Sequence, residues 1–105
     1  MKELYDNNYY NEILSSRKKL VIVDFWASWC SACQMFSFIF EKIDKQYSNE
    51  IDCFKFSTED GNIIPRELDI TMIPTIIIYK GNKVIFKING LPTEQMIMKK
   101  IGELL

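Results

Sequence analysis

Leu20-Val21-Ile22-Val23-Asp24-Phe25-Trp26-Ala27-Ser28-Trp29-Cys30-Ser31-Ala32-Cys33 is the stretch on which the fold turns. Its first seven residues are almost continuously apolar and rich in β-branched side chains, the pattern of a central strand buried on both faces in an α/β protein. Behind them stands a Cys-x-x-Cys, and behind that a segment with helical spacing. The two thiols therefore fall at a strand–helix junction, and two cysteines so spaced can close a small disulfide ring. At a helix N-terminus the macrodipole and the free N–H groups stabilise a thiolate, the form of cysteine that attacks disulfides. The same spacing also suits half of a zinc site or two packed cysteines, so the rest of the chain has to discriminate.

Outward from this stretch, the helical segment runs from roughly Ala32 to Tyr47, with Phe36, Phe40, Ile43 and Tyr47 on one stripe and Phe38 and Ile39 widening it. On the N-terminal side, Tyr9, Tyr10, Ile13 and Leu14 are spaced for a short amphipathic helix. Asp52 to Ser57 reads as a second strand, and a short helix is predicted near Pro65 to Leu68, since proline suits a first turn. Pro74 to Tyr79 and Lys83 to Ile88 flank the turn signal Gly81-Asn82, which predicts a β-hairpin. Gly90-Leu91-Pro92 breaks the last strand, and Thr93 is placed to cap a final helix burying Met96, Ile97, Ile101 and Leu104. The predicted fold class is α/β, in the order α-β-α-β-α-β-β-α, as a single domain over residues 1–105.

Composition bounds the chemistry. The chain has 105 residues, 48% of them hydrophobic, and a net charge of −1, with no basic footprint for nucleic acid or an anionic membrane. No signal peptide or bilayer-spanning run is visible, so a cytoplasmic location is expected. Three cysteines and no histidine exclude a Cys–His nucleophile pair, a histidine-ligated zinc site and a four-cysteine zinc site within this chain. No metal and no cofactor are expected, and the redox reading gains by elimination.

Four motifs in order, Asp24-Phe25-Trp26-Ala27, Trp29-Cys30-x-x-Cys33, Ile73-Pro74-Thr75 and the Lys80-Gly81-Asn82-Lys83 hairpin, make the chain resemble the thioredoxin family from about Leu14 to Leu104. The resemblance implies a thioredoxin fold, with a central mixed sheet flanked by helices on both faces and a cis peptide before Pro74. It implies a protein dithiol–disulfide oxidoreductase with a redox disulfide between Cys30 and Cys33. Cys30, nearer the free N–H groups and expected to be the more exposed, is the nucleophile; Cys33 is the resolving thiol. Asp24 is costly to bury as an anion, and the family assigns the matching residue proton exchange with the second cysteine, with Lys55 as its charged neighbour. An alternative is that Asp24 merely caps the strand end. Trp29 forms an apolar rim for partner proteins, completed by Ser31, Ala32, Ile73, Pro74, Thr75, Gly90 and Leu91. Cys53 reads as a small buried hydrophobe.

The partners implied are protein disulfides and a thioredoxin reductase-type electron donor, with no nucleic acid and no membrane, and the chain is expected to be a monomer. A dedicated electron donor to one redox enzyme and a non-catalytic binding module using the same surface are the rival functions. Two departures from the family stand out. Ser31-Ala32 replaces Gly-Pro between the cysteines, adding a hydroxyl and an N–H near the thiolate, which predicts a more oxidising couple. Phe38 replaces a helix-kinking proline, which predicts a straighter helix.

Overall fold

The computed structural model describes residues Met1–Leu105. Strands β1 (Lys2–Leu4), β2 (Leu20–Trp26), β3 (Ile51–Ser57), β4 (Thr75–Lys80) and β5 (Lys83–Asn89) form one sheet in the order β1-β3-β2-β4-β5. The first three are mutually parallel; β4 runs antiparallel to β2, and β5 antiparallel to β4. Helices α1 (Tyr9–Ser15), α2 (Ser31–Gln46), α3 (Ile63–Glu67) and α4 (Glu94–Leu104) complete the chain. The eight elements expected from periodicity are present in their expected order. The three-residue β1, which pairs with β3 at the sheet edge, is an addition to that order.

Alternation along the strands splits the core into two layers. Leu20, Ile22, Ile51, Cys53, Ile76 and Ile78 face Phe36, Phe40 and Ile43 of α2 and Ile97 and Ile101 of α4. Val21, Val23, Phe25, Phe54, Phe56 and Ile77 face Tyr9 and Ile13 of α1 and Ile64 of α3. Because β2 is central, residues of both parities on it are buried, which explains its continuous apolar run. The β4–β5 connection has Gly81 at φ 58° and Asn82 at φ 66°, two successive positive values that match a two-residue turn to the twist of its strands.

Helix faces differ from expectation at several residues. Tyr10 and Leu14 point away from the core while Tyr9 and Ile13 are buried, so α1 covers the sheet with a narrower stripe than its composition offers. Phe38 does not pack on the sheet: it is 69% exposed, whereas Ile39 is partly buried against the core. Met96 is likewise exposed, and Leu104 only partly buried. A helix against a flat sheet buries about one stripe, and residues a hundred degrees away remain in water. α2 runs unbroken through Phe38, from Ser31 to Gln46.

Candidate active site

The site forms where β2 ends and α2 begins. After Trp26 the chain turns through Ala27-Ser28-Trp29, and this turn is held from outside. The Glu59 carboxylate accepts the Ser28 N–H at 2.6 Å and the Ser28 hydroxyl at 3.0 Å, while Gln34 donates to the Ser28 carbonyl. These bonds to Ser28 lower the pKa of Glu59. Trp29, so anchored at its neighbour, is 73% exposed.

Cys30 is the N-cap of α2 in extended conformation, and its sulfur accepts the Cys33 N–H at 3.1 Å. A sulfur at this position satisfies one of the orphan donors of the first turn, and those donors and the dipole favour negative charge there. Cys30 and Cys33 are joined by a disulfide with a Cα–Cα distance of 5.2 Å. Both are buried in this state, Cys30 at 7% exposure and Cys33 at 3%, so the first cysteine is the more accessible by a small margin. Ser31 is exposed and Ala32 half-buried on the opening turn.

Across the site, the Ile73 carbonyl oxygen lies 3.9 Å from the Cys30 sulfur, and the Ile73–Pro74 peptide is cis. The Pro74 carbonyl accepts the Gly90 N–H at 2.7 Å, where Gly90 takes φ 88°, a conformation that favours glycine. Ile73 and Gly90 are half-buried, Leu91 is exposed, and Pro74 is buried. Thr75 is fully buried and its hydroxyl donates to the Met72 carbonyl at 2.6 Å, so its side chain steadies the loop before β4 rather than facing solvent. Beside this loop lies a groove of about 510 Å³ lined by Trp29, Arg66, Ile70, Met72 and Ile73 among others. Arg66 and Met72 were not singled out by sequence; they lie in the polar segment after β3, which carries no motif.

Asp24 sits mid-strand in β2, fully buried, with neither carboxylate oxygen hydrogen-bonded. It does not cap a strand end. Burial pushes its pKa up to about 7, the Lys55 charge opposing and Glu3 adding to the shift. Lys55 is its register partner on β3, and the ammonium lies 4.4 Å from the centre of the Trp26 ring. Cys53, in contrast, is buried in the α2-facing core, its thiol pushed well above the ordinary range by desolvation.

A dithiol at a helix start, opposed by a cis-proline loop and backed by a buried carboxylate on the central strand, defines a thiol–disulfide oxidoreductase. The comparisons narrow the class. The thioredoxin family model matches residues 1–103, and the chain belongs to the thioredoxin family. It is 39% identical over 101 residues to a thioredoxin of Chlorobaculum thiosulfatiphilum, covering 96% of this chain and 93% of that one. It is 35% identical over 101 residues to thioredoxin 2 of Chlorobaculum tepidum, covering 96% and 92%. It is also 29% identical over 101 residues, 96% of this chain and 22% of the other, to a bifunctional thioredoxin reductase/thioredoxin of Mycobacterium leprae. The protein is a protein dithiol–disulfide oxidoreductase, and its substrates are protein disulfides. No helix is long and apolar enough to cross a membrane.

Proposed function

We propose that the chain acts as a monomeric, single-domain cytoplasmic reductant of protein disulfides, with Cys30 attacking and Cys33 resolving. The observation that carries this reading is the position of the Cys30 sulfur, capping α2 on the Cys33 N–H and 3.9 Å from the carbonyl oxygen of Ile73, which with Trp29 lines the groove. In the reduced protein the Cys30 thiolate attacks one sulfur of the substrate disulfide. That S–S bond breaks, a mixed disulfide forms, and the departing substrate thiolate takes a proton from water. Cys33 then gives its proton to the Asp24 carboxylate and attacks the Cys30 sulfur. The second substrate thiolate leaves, and two electrons have passed from protein to substrate. With its pKa near 7, Asp24 can hold or release that proton at neutral pH.

Ser31, Ala32, Trp29, Ile73, Pro74, Gly90 and Leu91 form the docking surface. Exposed aromatic and apolar side chains around Cys30 suit association with many partners, and the backbone of Ile73, ahead of the cis-proline, offers an extended peptide its hydrogen bonds. Thr75 contributes through its backbone. A thioredoxin reductase-type donor returns the two electrons; the mycobacterial relative, named for both activities, supports this pairing.

Insulin reduction by dithiothreitol tests the assignment. Cys30→Ser should abolish nearly all turnover, and Cys33→Ser should accumulate mixed disulfides through Cys30. Turnover surviving in Cys30→Ser would refute the nucleophile, and a protein that never turns over would be a binding module. Many trapped partners indicate a general reductase; a single trapped enzyme would replace this reading with a dedicated donor.

A further inference from the structure

β1 brings a second carboxylate into the row of charges that contains Asp24. Glu3, Lys55 and Asp24 are successive Cα partners across β1, β3 and β2, so all three project from the α2-facing side of the sheet, with Lys55 in the middle. Strands lie about 4.8 Å apart, which sets the two carboxylate-bearing residues roughly 10 Å apart at Cα, within reach of one lysine between them. Lys55 forms an ion pair with neither: its ammonium rests over Trp26. Oε2 of Glu3, both oxygens of Asp24 and Nε1 of Trp26 are buried without hydrogen-bond partners. Such groups are costly to bury.

The row has one open end. Glu3 and Lys55, with Ser37, Glu41, Asp44 and Lys45, line a cleft of about 340 Å³ that Asp24 does not reach. Resting on the assignment of Asp24 as proton acceptor for Cys33, we propose that Glu3 is a positioning residue for the dithiol chemistry: it shares Lys55 with Asp24 and sets how tightly Asp24 holds its proton. A lysine midway between two carboxylates is full counter-ion to neither. Each carboxylate in low dielectric also strengthens the other's hold on a proton.

The remaining charges facing the row act in the same frame. Glu41, Asp44 and Lys45 approach from α2, Met1 from the chain's amino end, and Asp60 from the loop after β3, while Ile76 on β4 gives Asp24 an apolar neighbour. Burial raises the pKa of Glu3; Lys55 and the amino end oppose the rise, and Asp60 adds to it.

Side-chain carboxyl ¹³C titration of the full-length oxidised protein reads the coupling directly. In Glu3→Gln, Asp24 should bind its proton roughly 3- to 10-fold more weakly, and Glu3→Asp, which keeps the charge, should restore the wild-type midpoint. Lys55→Gln should move the midpoint the opposite way, a sign that mere loosening and hydration of the site would not produce. An Asp24 midpoint unchanged in Glu3→Gln, or lowered equally in all three variants, overturns the proposal. The pH profile of the resolving step in Asp24→Asn separately reports on Asp24: if it matches wild type, the proton-acceptor assignment fails even where the titration still shows Glu3 coupled to Asp24.

Discussion

Replacing Asp24 with asparagine should remove a pH dependence of stability that the wild-type fold carries. Asp24 is fully buried, has no hydrogen-bond partner, and has a pKa raised from 3.8 to about 7, chiefly by desolvation. A raised carboxyl pKa means that the folded chain binds a proton the unfolded chain has already released. The stability from that proton is fully present below the ordinary value and is lost as pH rises through about 7. Each unit over which only the fold holds the proton is worth about 1.4 kcal/mol. Between about pH 5 and about pH 8 the wild type should therefore lose about 2.5 kcal/mol relative to Asp24→Asn. Asparagine carries a penalty for its own unpaired amide, but that penalty does not change with pH. Urea unfolding of both oxidised proteins across this range measures the difference, and the other carboxylates largely cancel. Parallel stability curves would refute the reasoning, since they would mean that Asp24 titrates alike in the folded and unfolded chains.

Three further outcomes follow from the packing and the site. Tyr9→Phe removes a buried hydroxyl bonded to the Tyr79 hydroxyl at 2.8 Å; leaving that partner unsatisfied should cost about 1–3 kcal/mol in urea unfolding, and an unchanged midpoint would show that the pair contributes nothing. Phe40→Ala, at a fully buried ring stacked on Phe36 at 5.4 Å, should cost about 3–5 kcal/mol. Phe38→Ala, two positions away and 69% exposed, should stay within about 0.5 kcal/mol, and equal losses in the two would contradict the helix orientation. Restoring Gly-Pro at Ser31 and Ala32 should make the couple more reducing, each tenfold shift against glutathione corresponding to about 30 mV; a potential equal to or above the wild type would remove these two residues as the source of an oxidising bias.

The elements around the dithiol were readable because their signals are long or chemically distinctive. β2 is apolar at every position but one, α2 repeats its apolar residues over four turns, and Gly81-Asn82 supplies the positive φ that a tight hairpin needs. β1 was not readable: three residues carry no periodicity, and Lys2-Glu3-Leu4 becomes a strand through pairing with β3. The outward faces of α1, α2 and α4 were misjudged at Leu14, Phe38 and Met96. An apolar side chain declares that it tolerates burial, while the neighbour that would bury it is supplied by the fold.

By itself the sequence pointed to the reaction type, through the Cys30–Cys33 spacing, the absence of histidine and the four motifs that resemble the thioredoxin family, and it marked Asp24 as anomalous, since a carboxylate inside Val23-Asp24-Phe25 must be buried at a cost. Only the tertiary structure decided what surrounds that carboxylate. Residues 3, 24 and 55 are far apart in the chain, and strand pairing alone places Glu3 and Asp24 on either side of one lysine. Thiol chemistry is local to a four-residue motif, whereas a proton's affinity for a buried oxygen depends on every charge the fold brings near it.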